Sequence, residues 1–99
     1  MTAITIIERE GCVDCANAND LLNRLQQEDP AVLVRHIASD EPVARRIIDA
    51  VHAREVPVVL VDDAYFAQGA INEQELRTRL AAAATATAST AHAAHEGAM

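Results

Sequence analysis

The sequence predicts one α/β domain in the order strand, helix, strand, helix, strand, strand, helix. Three observations carry this. Runs rich in isoleucine and valine alternate with longer segments in which apolar residues recur at helical spacing. Both cysteines fall in one C-x-x-C, Cys12-Val13-Asp14-Cys15, between the first such run and the first helical segment. A third run, Val56-Pro57-Val58-Val59-Leu60-Val61, is followed by two aspartates and a short apolar stretch, as in a hairpin.

Residues 3–8, with Ile4, Ile6 and Ile7, read as a buried strand, and Arg9-Glu10-Gly11 as a loop. A helix is predicted from about Cys12 to Gln27, with Val13, Ala16, Ala18, Leu21, Leu22 and Leu25 on its apolar side. Asp29-Pro30 stops it, because the residue before proline resists the helical region. Residues 32–37 form the second strand, which the intervening helix allows to lie parallel to the first in a right-handed βαβ unit. Ser39 or Asp40 is the predicted cap of the next helix, with Pro42 in its first turn and Val43, Ile47, Ile48 and Val51 facing inward. His52–Glu55 form a polar loop before the third strand at 56–61. Asp62-Asp63-Ala64 turn the chain into a fourth strand at 65–67, and Gln68-Gly69-Ala70 form a loop. Asn72 caps the last helix, with Glu75 placed as in a capping box and Ile71 and Leu76 placed to staple across it. From about residue 81 the chain becomes alanine with threonine, serine and histidine. A domain at 1–82 is therefore expected to end in an alanine-rich tail at 83–99 that frays for want of large apolar side chains.

Fifteen acids face eight arginines, with no lysine, for a formal charge of −7. That balance argues against nucleic acid, whose phosphates need a basic face, and favours a monomer that repels its own copies. No signal peptide or membrane span is read in the chain, so the expected compartment is the cytoplasm. There, a C-x-x-C points to redox chemistry or metal binding before a permanent crosslink. At a strand-to-helix junction it has a redox logic. One helical turn brings the two sulfurs within reach of each other. The unpaired N–H groups and positive end of the helix favour an anionic sulfur at Cys12. Asp14 either sets a negative charge against that effect, in the direction of a more reducing dithiol, or is a solvated residue of the helix start that adds dipole stability. A metal or iron–sulfur site would need ligands beyond two cysteines, from a dimer or from histidines. His36 and His52 read as strand and surface residues; His92 and His95 lie three apart in the tail.

Element order, the C-x-x-C and the later Val-Pro together resemble the thioredoxin fold in its short, glutaredoxin-like form, over residues 3 to about 82. The resemblance implies a four-stranded mixed sheet flanked by three helices. Val13-Asp14 between the cysteines is most similar to the hydrogen-donor redoxins that serve ribonucleotide reductase, which carry Cys-Val-Gln-Cys or Cys-Met-Gln-Cys. Asp14 stands where they have glutamine, and ordinary glutaredoxins have Cys-Pro-Tyr-Cys. Arg9 stands where the family commonly has lysine, which implies a cation near the thiolate. Val56-Pro57 matches the family's Val-Pro, whose proline is cis and faces the dithiol. By that likeness the Val56 backbone pairs with an incoming peptide or glutathione as an added strand. Gly69 matches the second residue of the family's Gly-Gly or Ser-Gly, with Gln68 in place of the first. Ala70-Ile71-Asn72 lack both the residues that donor redoxins show there and the acid that helps glutaredoxins hold glutathione.

The expected function is thiol–disulfide exchange on a disulfide-containing protein, with Cys12 as nucleophile and Cys15 as resolving thiol. Arg9, Val13, Asp14, Val56, Pro57 and Gly69 are the expected substrate contacts. Thioredoxin reductase or a low-molecular-weight thiol is the expected reductant, and no bound cofactor is required. A dimeric iron–sulfur or metal carrier using the same cysteines and a redox-inactive adapter are the alternatives.

Overall fold

The structure, a computed structural model, describes residues 2–83. Its elements are β1 (Thr2–Glu8), α1 (Val13–Glu28), β2 (Val32–Ala38), α2 (Pro42–Val51), β3 (Val58–Val61), β4 (Ala64–Gln68) and α3 (73–83). The strands form one mixed sheet in the order β2-β1-β3-β4. β1 runs parallel to β2 and antiparallel to β3, and β3 pairs antiparallel with β4. This is the predicted four-stranded mixed sheet with three helices. The predicted alanine-rich tail lies outside the described residues beyond its first position.

Alternation along the central strands divides the core in two. Ile4 and Ile6 of β1 and Val59 and Val61 of β3 face α1 and α3, packing on Ala18, Leu21, Leu22, Leu25 and Leu76. Ile7, Val58 and Leu60 face the other way and pack with Ile37 under α2, through Ala44, Ile47, Ile48 and Val51. A strand buried on both sides must be apolar almost throughout, which is why β1 and β3 read as continuous runs.

Several boundaries depart from the sequence reading. Val13 is 74% exposed and Ala16 is also exposed; Cys15 lies on the inner face of α1 with Ala18, Leu22 and Leu25. At 100° per residue Val13 falls opposite Leu22, so it could not share that stripe. Glu41, not Ser39 or Asp40, is the N-cap of α2, and Val43 is 39% exposed. Pro42 occupies the first turn, where its missing N–H is harmless, and this fixes the start. The Glu41 carboxylate turns back to accept from Ala38 N at 2.9 Å. β3 begins at Val58 because Pro57 has no N–H to give the ladder. β4 takes in both Ala64 and Gln68, since Asp62 and Asp63, at φ 49° and 67°, make the two-residue turn alone. A bulge opposite Val59 and Leu60 leaves Phe66 as the extra residue, and it packs on the α1 and α3 side.

The start of α3 follows the predicted cap. Asn72 Oδ1 accepts from Glu75 N at 2.8 Å, and Ile71 packs with Leu76 in the same cluster. Replacing Asn72 by alanine leaves that N–H without its acceptor. A loss of about 1 kcal/mol in denaturant unfolding is expected, with the slope unchanged.

Candidate dithiol site

The site lies where β1 ends and α1 begins, against the loop that leads into β3. After Glu8 the chain turns at Gly11, whose φ of +71° suits a residue without a Cβ. Cys12 follows as the N-cap of α1, in extended conformation. No Ser, Thr, Asn or Asp stands there, and the sulfur itself caps the helix: Cys15 N donates to Cys12 Sγ at 3.1 Å. A backbone donor and the positive end of a sixteen-residue helix thus converge on this sulfur. On its other side the Cys12 thiol donates to the Val56 carbonyl oxygen at 3.7 Å. Cys12 is half-buried, Cys15 is 3% exposed, and both are free thiols.

The two sulfurs differ by position alone. Burial pushes the Cys15 thiol up from the ordinary 9.0 to about 11, helped by its hydrogen bond with Cys12 and by the negative charges of Cys12 and Glu8. A backbone hydrogen bond from Arg9 works in the opposite direction. Glu8 is held half-buried: Asn19 Nδ2 donates to its Oε1 at 2.7 Å, and His36 Nδ1 lies 3.4 Å from the same oxygen. Glu8 and Asn19 escaped the sequence reading. The available signals were an acid ending an apolar strand and an amide one turn beyond Cys15 on the helix.

The predicted contacts fall into two groups. Arg9, Val13 and Asp14 border the cysteines: Arg9 is exposed in the loop, Val13 exposed at the first helical position, and Asp14 half-buried beside it. Val56, Pro57 and Gly69 lie together across from them. The Val56–Pro57 bond is cis, Val56 is half-buried and Pro57 is buried. Gly69 is buried too, with its N–H donating to the Pro57 carbonyl at 2.9 Å. Its φ is +72°, and a Cβ there would meet Glu55 Oε2 at 2.6 Å. The space beside Gly69 is therefore filled by a carboxylate from the preceding loop. Gln68, which departs from the family pattern, shapes that loop. Its Oε1 accepts from Arg54 N at 2.7 Å and from Glu55 N at 3.0 Å, and its Nε2 donates to the Tyr65 hydroxyl at 3.2 Å.

Among the described residues no group of three or more His, Cys, Asp or Glu side chains is placed to hold a metal ion. None of the described helices is long and apolar enough to cross a membrane.

A family model described as "Glutaredoxin-like domain (DUF836)" matches residues 3–81. No curated protein matches the sequence. Among solved structures, the chain is similar to a thioredoxin-like protein from Clostridium perfringens at a TM-score of 0.67 and 15% identity, covering 83% of this chain and 70% of that one. It is similar to Fasciola hepatica thioredoxin at 0.61 and 19%, covering 81% and 78%. Thioredoxin O2 from Arabidopsis thaliana, in its oxidized state, gives 0.60 and 14%, covering 81% and 72%. At these identities the likeness is one of fold.

Proposed function

This chain belongs to the glutaredoxin-like domain family, and from that premise we propose that it reduces protein disulfides through Cys12 and Cys15. The glutaredoxin-like fold carrying this cysteine pair is compatible with thiol–disulfide redox function. One observation supports the finer reading most: the half-buried sulfur of Cys12 takes the N-cap of α1 and the N–H of Cys15, while the partner thiol is buried behind it.

The exchange follows from the chemistry of the pair. The Cys12 thiolate attacks one sulfur of the substrate disulfide, and the other substrate sulfur leaves as a thiolate that takes up a proton. Cys12 is now bonded and uncharged. Of the causes that raise Cys15, its hydrogen bond with the Cys12 sulfur and the Cys12 charge then vanish, leaving burial and Glu8. Cys15 is thus easier to ionise once the mixed disulfide exists. It loses its proton, attacks Cys12 Sγ, and expels the second substrate thiolate. Two electrons have passed to the substrate, and the protein holds a Cys12–Cys15 disulfide. Thioredoxin reductase or a low-molecular-weight thiol would return the two electrons, in a cytoplasm that keeps dithiols reduced. In this reading Val56 offers its backbone to the substrate as an edge, with Pro57 and Gly69 behind it and Arg9, Val13 and Asp14 across from it. Residues 1–82 form the working domain.

The test is stoichiometric. Fully reduced protein is mixed with a protein disulfide such as insulin, and the products are read by mass after alkylation. Conversion of the substrate to its dithiol, with Cys12 and Cys15 protected from alkylation, is expected. A substrate left oxidised removes the reading.

Cys15 also links stability to pH. Between about 9 and about 11 the folded state keeps this proton while the unfolded chain releases it. The unfolded state binds fewer protons there, so the stability of the reduced protein falls as pH rises through that window. Urea unfolding from pH 8 to 11 checks this. Cys15→Ser is expected to flatten the slope.

A further inference from the structure

We propose that Glu55 selects substrates by charge at the dithiol site, favouring disulfides flanked by lysine or arginine over those flanked by carboxylates. The inference rests on the oxidoreductase reading above and adds to it the class of substrate. Glu55 precedes Val56, the residue whose carbonyl accepts from the Cys12 thiol, so its carboxylate belongs to the same edge. The backbone of Glu55 is also held in place. Gln68 Oε1 binds the N–H groups of both Arg54 and Glu55, and the Glu55 side chain lies across the α-carbon of Gly69, in space that any other residue at 69 would fill. Residue 55 is exposed, and among the described residues its carboxylate has no ion pair or hydrogen bond. An exposed and unpaired charge on a residue next to a peptide-pairing edge meets whatever side chain flanks the substrate cysteine. In an extended peptide that neighbour lies about 3.4 Å along the chain, within reach of a long cationic side chain. Asp14, across the mouth of the site, carries the same sign. Arg9 and Arg54 are the cations of the neighbouring loops, and neither forms an ion pair with Glu55. Small acidic thiol peptides, which bring carboxylates to this edge, are the substrates it disfavours.

Opposite charges about 4 Å apart in water change an encounter by about fivefold at low salt, and like charges oppose it to a similar degree. The experiment uses two peptide disulfides identical except for lysine or glutamate beside the cysteine. Second-order rate constants are measured with the reduced full chain, as wild type and as Glu55→Gln, at low and high salt. Wild type is expected to prefer the lysine peptide by about twenty-fivefold at low salt, the preference shrinking with salt and to a few-fold in Glu55→Gln. Equal wild-type rates on the two peptides, or a preference that survives Glu55→Gln undiminished, overturns the inference alone. If neither peptide is reduced faster by wild type than by Cys12→Ser, the oxidoreductase reading falls and takes this inference with it.

Discussion

On the proposed dithiol mechanism, Cys12→Ser is expected to bring protein-disulfide reduction down to the uncatalysed background, and Cys15→Ser to leave the protein covalently captured on its substrate. The asymmetry follows from where the two sulfurs lie. Cys12 is the half-buried sulfur, capped by Cys15 N at 3.1 Å and facing Val56 at 3.7 Å. A serine hydroxyl can take the same cap but is not ionised at neutral pH and does not attack a disulfide. With Cys15 replaced, the first attack still proceeds, and nothing behind Cys12 can expel the substrate. A mass equal to protein plus substrate chain, lost on adding dithiothreitol, is the signature. Insulin reduction followed by turbidity, with non-reducing gels for the trapped species, checks both variants. Wild type and Cys12→Ser behaving alike would identify the fold as a redox-inactive adapter.

Leu76→Ala is expected to destabilise the domain by about 3 kcal/mol. Leu76 is 0% exposed and joins α3 to the cluster of Ile4, Ile6, Leu22 and Val59. Truncation removes three buried carbon atoms and leaves a cavity between α1, α3 and the sheet, which rigid neighbours fill only in part. Against a total of about 5–15 kcal/mol for a small domain, that is a large share. A fall in Tm of about 15 °C is expected by differential scanning calorimetry. The salt links of Arg77, to Glu28 of α1 at 2.8 Å and to Glu73 within α3 at 2.9 Å, are solvent-exposed and cannot make up the difference. A loss under about 1 kcal/mol would mean that α3 contributes little to the core.

Much of the site was legible because its signals are local. Cys12 and Cys15 are three residues apart, so one helical turn relates them whatever the rest of the chain does. The Asn72 cap needs only its own next three residues, and the Asp62-Asp63 turn only its two flanking strands. Glu55 and Gln68 were not legible. They stand thirteen residues apart, and their relation exists only once the β3–β4 hairpin has closed and brought Gln68 beneath the loop. Glu8, Asn19 and His36 come from three different elements and meet only in the assembled sheet and helix. Val13 was misplaced for another reason: an apolar residue at the first turn of a helix satisfies a hydropathy pattern without being covered by anything.

By itself the sequence determined the number, kind and order of the elements and the positions of both sulfurs. Hydrophobic period, caps, turns and proline act over a few residues, within one stretch of chain. Only the tertiary structure decided that β3 lies beside β1 and antiparallel to it, since several strand orders can bury the same apolar faces. That choice brings Val56 to Cys12, separates a half-buried sulfur from a buried one, and lays the Glu55 carboxylate against Gly69. Charge and burial act through space, so the residues that tune the dithiol are those the sheet brings near it.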